Sequence, residues 1–323
     1  MKLGIIGTGM IVNEFLKMTT ELPEIQLSAI LSTERSVPKA EKLQEEYKIG
    51  ATFSKTEDFL ASEIDTVYVA VPNHLHYGFA KQALLAGKHV ICEKPFTLKY
   101  DELAELKEIA EEKELILIEA VTNQYLPNYQ KIKEALPEIG QVRLIECNYS
   151  QYSSRYDAFR KGEVLPAFNP KFGGGALMDI NIYNIHFVLG LFGLPKGVEY
   201  YGNIQKGVDT SGILMLDYGS FKAACIGAKD SFTESHATIQ GEDGTIIVKS
   251  PSSTIIETVL QHKGSEQKIS EKSTHHPMYD EFKKFDTVIR EKNLAFAAEQ
   301  LDHSLAVMKV VEEASTKAGL ELG

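Results

Sequence analysis

Residues 1–12 read Met1-Lys2-Leu3-Gly4-Ile5-Ile6-Gly7-Thr8-Gly9-Met10-Ile11-Val12. Leu3–Ile6 is an apolar run of strand length, and two glycines interrupt it immediately afterwards. Asn13–Thr20 then carries apolar residues at helical spacing. A strand, a glycine turn and a helix in that order form the first unit of a dinucleotide-binding fold. Gly7 permits the tight turn, and Gly9 lets the backbone approach a pyrophosphate at the helix N-terminus, where free N–H groups and the helix dipole favour an anion. Thr8, Met10 and Ile11 complete the turn, and Val12 stands where the fingerprint has its third glycine or alanine. A plain strand–turn–helix junction would read the same locally, so the rest of the chain has to decide.

Outward from this turn, short strands and helices alternate. Ile25–Leu31, Ala51–Phe53, Thr66–Ala70, His89–Cys92 and Leu115–Glu119 read as strands. Lys39–Tyr47, Asp58–Ala61, Tyr77–Ala86 (closed by Gly87) and Asp101–Lys113 read as helices between them. That alternation indicates a doubly wound parallel sheet covered on both faces, a Rossmann domain over residues 1–120. Beyond it, Gln141–Tyr152, Val198–Gln205, Thr210–Leu216, Lys222–Gly227, Ser235–Gln240, Thr245–Val248 and Thr254–Leu260 follow one another with little helix. They predict a large, mostly antiparallel open sheet in an α+β domain over 121–323, closed by helices at Met278–Arg290 and Gln300–Ala318.

With 323 residues, 43% of them hydrophobic and 24% charged, the chain suits a two-domain soluble enzyme. No apolar run looks long enough to span a bilayer, and the N-terminus has no signal-peptide pattern. A net charge of −11 argues against nucleic acid or an anionic membrane as partner, because either requires a basic face. Cys92, Cys147 and Cys225 are widely spaced and odd in number, which points to buried, reduced thiols and a cytoplasmic protein. His275-His276 has no Cys or acid at ligand spacing, so no metal is expected and the pair reads as a solvated loop.

The end of the second strand bears on the cofactor. An NAD-preferring fold usually places an acid there for the ribose 2′-hydroxyl. Here the run is Ala29-Ile30-Leu31-Ser32-Thr33-Glu34-Arg35. Ser32 and Thr33 leave room for a 2′-phosphate, and Arg35 can pair with one through its planar fork. Glu34 is the competing ribose ligand, and Arg35 also reads as a solvated residue at a helix start. The balance favours NADP over NAD.

Two further segments end strands at the sheet edge where doubly wound folds bind ligands: Val69-Ala70-Val71-Pro72-Asn73-His74-Leu75-His76 and Glu93-Lys94-Pro95-Phe96. Later come Gly173-Gly174-Gly175-Ala176-Leu177-Met178-Asp179-Ile180-Asn181-Ile182-Tyr183 and Ile239-Gln240-Gly241-Glu242-Asp243-Gly244-Thr245-Ile246. In order, and spanning nearly the whole chain, these segments resemble the Gfo/Idh/MocA family, which includes glucose–fructose oxidoreductase, inositol dehydrogenase and dimeric dihydrodiol dehydrogenase. The resemblance implies an enzyme that moves a hydride between a nicotinamide and the carbinol or carbonyl carbon of a small sugar, polyol, inositol or trans-dihydrodiol.

It also implies roles for residues. The proline of Glu93-Lys94-Pro95 is commonly cis in the family, aiming Lys94 into the cleft. An ammonium there hydrogen-bonds the reacting oxygen, and a lowered pKa would let it transfer a proton. Gly7, Thr8, Gly9, Met10, Ile11, Ser32, Thr33, Arg35, Ala70, Val71, Pro72, Asn73, His76, Glu93 and Lys94 are the expected cofactor residues, His76 shaping the nicotinamide side. His74 reads as exposed. Asp179, Tyr183 and His186 follow an i, i+4, i+7 spacing that places them on one face of a helix. Tyr183 falls where many relatives have the catalytic histidine and the dihydrodiol dehydrogenase-like branch a tyrosine; Asp179 would fix substrate hydroxyls or orient Tyr183. Packing is the competing reading for Tyr183 and His186. Asn181 stands where the family usually has glycine. Tyr125, Tyr152, Arg155 and Tyr156 lie on segments that can border the pocket, or simply pack.

Two alternatives remain beside this reading: a non-catalytic nicotinamide-binding regulator of the same fold, and a homoserine or biliverdin reductase-like enzyme. Lys94 argues against the first, and Glu93-Lys94-Pro95 with Gly173–Tyr183 against the second. Apolar residues at Val198–Tyr201 and Ile213–Leu216 on a sheet face without helices predict a homodimer or homotetramer through the second domain.

Overall fold

In the computed structural model, which describes residues 1–323, the early apolar runs become β1 (Lys2–Ile6), β2 (Gln26–Leu31), β3 (Ala51–Phe53), β4 (Thr66–Val69), β5 (His89–Glu93) and β6 (Leu117–Ala120). They form one sheet in the order β3-β2-β1-β4-β5-β6, with every pair parallel. Between them run α1 (Met10–Met18), α2 (Val37–Tyr47), α3 (Thr56–Leu60), α4 (His76–Leu85) and α5 (Tyr100–Glu112). β4 is buried along its whole length and β1 from Leu3 onward, as expected of parallel strands covered on both faces. The chain's direction across the sheet reverses between β1 and β4, and this switch point leaves a crevice at their C-terminal ends.

The next stretch holds α6 (Pro127–Ala135), β7 (Val142–Ser150), α7 (Tyr156–Arg160) and α8 (Ile182–Phe192). Then come β8 (Gly197–Gln205), β9 (Val208–Asp217), β10 (Lys222–Ala228), β11 (His236–Gly241), β12 (Gly244–Val248), β13 (Thr258–His262) and β14 (Ser265–Lys268). The eight strands from β7 to β14 form an open sheet ordered β14-β13-β12-β11-β7-β10-β9-β8. Only β7 and β10 pair in parallel, with Cys147 opposite Cys225. All three cysteines are buried free thiols.

Two strands depart from the sequence reading. β13 begins at Thr258 rather than Thr254, because Pro251–Ile255 forms a turn with Ile255 at a positive φ of 42°. β14 has no apolar residue and is exposed throughout, so nothing in its sequence announces a strand.

α9 (Tyr279–Arg290) and α10 (Leu294–Lys317) complete the chain. The molecule divides into two compact units, Met1–Ala120 with His275–Asp302, and Val121–Thr274 with His303–Gly323. Residues 275–302, left in the second domain by the sequence reading, thus join the first unit. The reason is aromatic packing: Phe282 of α9 lies 4.5 Å from Phe15 and 5.1 Å from Tyr68, ring centre to ring centre. The N-terminal ammonium also pairs with the buried Asp286 at 2.8 Å. One apolar stretch, Pro170–Phe192, does reach bilayer-spanning length, contrary to the sequence expectation, but 72% of its most apolar window is buried in protein. Burial in the core of the second unit accounts for its hydropathy.

Candidate active site

At the switch point Gly7 has φ +120°, and a Cβ there would run into the carbonyl oxygen of Ala70. The backbone at this turn is held by Gly7 N–H donating to Leu31 O and Ala70 N–H to Ile6 O, both at 3.0 Å. Gly9 caps α1 with extended backbone, has nothing within 4 Å of a built Cβ, and leaves the helix without a side-chain cap. The first-turn N–H groups are therefore open to an anion. Val12 is fully buried and packs into the core where the fingerprint has its third small residue.

A cavity of about 590 Å³ opens over this turn. Of the expected cofactor residues, Gly7, Thr8, Gly9, Ile11, Ser32, Thr33, Ala70, Val71 and Pro72 line it; Met10, Arg35, Asn73, His76, Glu93 and Lys94 do not. Ser36, Ser54, Thr56, Leu75 and Phe79 line it without having been expected. Ser54 and Thr56 follow β3, and parallel pairing explains their place: Leu31 sits opposite Phe53, and Ser32 N–H donates to Phe53 O at 3.0 Å. Ser32, Thr33, Ser36, Ser54 and Thr56 give this edge hydroxyls, and no carboxylate lines the cavity. Glu34 and Arg35 are exposed on a 3-10 turn beside it, and Lys55 is exposed between two lining residues.

At the end of β5 the Lys94–Pro95 peptide is cis. Lys94 is half-buried. His76 is completely buried, with Nδ1 2.8 Å from Pro95 O and Nε2 2.8 Å from Val71 O. Burial, the largest cause, pushes its pKa down against the opposing effect of the two carbonyls. It joins the Val71 loop to the Lys94-Pro95 segment through their backbones, a less direct part than the cofactor contact expected of it. Phe96 N–H donates to the buried Glu119 at 3.0 Å. Burial raises Glu93 to about 7, and the Tyr68 hydroxyl donates to it at 2.5 Å. Glu93 is half-buried, its carboxyl bonded to Tyr68 within the first unit.

In the second unit, residues 177–181 wind as a π-helical turn before α8. That turn breaks the simple i, i+4, i+7 face. Asp179 keeps 37% of its side chain exposed and Tyr183 is half-buried, but His186 is fully buried, with Nδ1 3.0 Å from Nε2 of His303. The one-face expectation is corrected accordingly, and His186 belongs to the packing of α8. Asp179 meets a residue the sequence reading missed: Lys229 Nζ donates to its Oδ2 at 2.6 Å. Asn181, buried, donates to Cys225 O at 3.0 Å, and Gly227 of β10 makes room for it, since a Cβ there would lie 2.7 Å from Asn181 Cβ. Gly173 and Gly175 both have positive φ.

Tyr152, Arg155 and Tyr156 lie at the second unit's surface, where Tyr156 packs on Phe168 and Tyr152 donates to Asp157 at 2.8 Å. Tyr125 is half-buried and His74 exposed. His275 and His276 pair with Glu21 at 2.7 Å and Glu14 at 3.6 Å.

A family model described as "Oxidoreductase family, NAD-binding Rossmann fold" matches residues 1–121, and one described as "GFO/IDH/MocA C-terminal domain" matches residues 129–247. The chain is 36% identical over 321 residues to a scyllo-inositol 2-dehydrogenase (NADP(+)), IolU, of Bacillus subtilis (strain 168), covering 99% of this chain and 97% of that protein. It is 28% identical over 284 residues to a trans-1,2-dihydrobenzene-1,2-diol dehydrogenase of Xenopus tropicalis, covering 86% and 83%. A solved 3-ketoreductase of Actinomadura kijaniata, in complex with NADP and TDP-benzene, matches with a TM-score of 0.84 at 22% identity, covering 98% of this chain and 97% of that one. At that identity the likeness speaks for the fold alone.

The two glycines of the turn separate folding from binding. Gly7→Ala forces a Cβ against backbone at a left-handed φ, costing about 1–3 kcal/mol of stability. Gly9→Ala should stay within about 0.5 kcal/mol of the parent while weakening NADPH binding. Thermal melts and NADPH fluorescence titrations read both; equal melting temperatures for the two variants would defeat the close-approach account.

Proposed function

Because the chain belongs to the Gfo/Idh/MocA family of nicotinamide-dependent oxidoreductases, we propose that it interconverts a cyclic polyol of the inositol class and its ketone with NADP(H). The named sequence relatives are dehydrogenases, and neither favours a non-catalytic role. The Bacillus subtilis protein, similar along nearly the full length of both chains, supports the substrate class. The observation that carries the cofactor choice is the acid-free, hydroxyl-bearing edge of the cavity after β2 and β3. It can accommodate a 2′-phosphate, with Arg35 within the same turn as Thr33 and Ser36.

The cavity fits the dinucleotide: Gly7 and Gly9 bring backbone close, and α1 offers uncapped N–H groups to the pyrophosphate. Bound there, the nicotinamide supplies the hydride donor or acceptor. The chain's own residues manage the proton and the charge. In reduction, the Lys94 ammonium hydrogen-bonds the carbonyl oxygen and stabilises the negative charge that grows on it. In oxidation, Lys94 in its neutral form receives the hydroxyl proton. In the second unit, the Tyr183 hydroxyl is the other group proposed for proton transfer, and the Asp179 carboxylate the acceptor of hydrogen bonds from substrate hydroxyls.

Assembly follows from the second sheet. Tyr201 and Ile213 sit opposite each other on β8 and β9, 67% and 43% exposed. Leu144 of β7 is 41% exposed. These exposed apolar side chains share their sheet face with Glu146, Asn148 and Glu199, a mixed face that suits a second copy of the chain, and light scattering at micromolar concentration should return at least twice the mass of one chain.

Arg35→Ala should weaken NADPH binding by about 10–100-fold, the loss expected of a charge-assisted contact, and leave NADH nearly unchanged. Equal losses for the two cofactors, or tighter NADH binding by the parent, would defeat the NADP assignment.

With scyllo-inositol and NADP⁺ as assay substrates, Lys94→Ala should lower kcat by on the order of 10²–10⁴-fold while cofactor affinity changes little. Tyr183→Phe should lower kcat too. If the two side chains handle one proton, the double variant loses less than the product of the single losses. A Lys94→Ala enzyme with near-normal kcat would remove the lysine from the chemistry.

A further inference from the structure

Lys229 follows directly on β10 and is 2% exposed. A lysine is almost never buried to this degree without a counter-charge, because desolvating its ammonium is costly. Its Nζ donates to Asp179 Oδ2 at 2.6 Å and to Ala167 O at 2.5 Å, and stands 4.6 Å over the ring of Phe168. The backbone of Lys229 is pinned as firmly. Its N–H donates to Thr210 O, and its carbonyl accepts from Ser153 N–H, each at 2.8 Å. One residue therefore joins three things in the second unit: the end of β10, the segment from Ser153 to Phe168, and the carboxylate at the π-helical turn.

The other nearby acids are engaged elsewhere. Asp209 accepts from Leu177 N–H at 2.7 Å and the Tyr200 hydroxyl at 2.6 Å. Asp230 accepts from Thr210 at 2.7 Å and Ser211 at 2.9 Å. Asp209 also feels the Lys229 charge, but the carboxylate bonded to the ammonium is that of Asp179. Asp179 in turn has its Oδ2 fixed by the ammonium, while more than a third of its side chain stays exposed.

We propose that Lys229 is a positioning residue for substrate recognition: it holds Asp179 as a carboxylate aimed by a fixed bond, and it sets the distance between Asp179 and the segment 153–168. The inference rests on the reading of Asp179 as the acceptor of substrate hydroxyls. Lys229 acts through Asp179, its ammonium being committed to a carboxylate and a carbonyl.

The test uses the full-length enzyme with scyllo-inositol and NADP⁺, and compares Asp179→Asn, Lys229→Met and the double variant Lys229→Met/Asp179→Asn. Removing the ammonium should raise KM for scyllo-inositol about tenfold or more, the worth of a hydrogen bond to a charged group, with a smaller change in kcat. The dissociation constant for NADPH should stay within about twofold of the parent's, as the cofactor cavity belongs to the first unit. The double variant should be no worse than Asp179→Asn alone, and should melt higher than Lys229→Met because it no longer strands a carboxylate. If Lys229→Met does not fold, the double variant carries the comparison, and its melting below both the parent and Asp179→Asn by the full loss of an independent residue overturns the pairing. If Asp179→Asn raises KM but a folded Lys229→Met does not, the positioning role fails and the reading of Asp179 stands. If Asp179→Asn leaves KM and kcat unchanged, the reading of Asp179 itself fails.

Discussion

The cavity of the first unit depends on the close approach of Gly7 to the carbonyl of Ala70. β1 and β4 run side by side with Ile6 opposite Val69, and the chain leaves them toward opposite sides of the sheet. Only a residue without Cβ, at φ +120°, lets the turn after β1 pass that close to the end of β4. A larger residue would push the two strand ends apart, and with them the walls formed by Ala70–Pro72 and the open N-terminus of α1. The contact is thus a steric condition on the sheet before it is a feature of any ligand site.

Within each unit, buried polar side chains fix loops by hydrogen bonds to backbone. His76 spans from Val71 O to Pro95 O, Glu119 receives Phe96 N–H, and Asn181 and Asn184 reach Cys225 O and Ile226 O on β10. Ser252 completes the last set by donating to Asn184 at 2.6 Å. Buried polar groups are costly unless satisfied, so each bond fixes one geometry of its loop and penalises the others. Asn181 is instructive. Its side chain fills space that Gly227 vacates on the facing strand, so the change from the family's usual glycine is matched by a small residue across the contact.

The parallel sheet was legible because its signals are local: continuous apolar strands, helical spacing and a glycine turn each occupy a few adjacent residues. The same holds for Gly7, Gly9 and the strand-end segments that reach the cavity. What escaped was set by pairing between distant residues. Ser54 and Thr56 reach the cavity because β3 pairs with β2, and residues 275–302 join the first unit because Phe282 meets Phe15 and Tyr68. Neither has a local mark. The exposed strand β14 lacks alternation, and the π-helical turn at Leu177–Asn181 shifts a spacing that assumes 3.6 residues per turn. Lys229 was invisible for a related reason: a lysine after a strand reads as solvated, and only the fold shows it enclosed.

Lys94 and Lys229 show how one side-chain type is directed to different work by its surroundings. Lys229 is enclosed, paired with Asp179 and held by Ala167 O, so movement of its ammonium is penalised. Such a lysine orients. Lys94 is half-buried at the end of a strand, beside a carboxyl whose own charge is weakened by burial, since Glu93 is raised to about 7. Burial disfavours the charged form of a carboxyl, so Glu93 is a weaker counter-charge than an exposed glutamate. The contrast lies in enclosure: an ion pair and a carbonyl fix the one ammonium inside the second unit, while the other stays half-buried at a strand end.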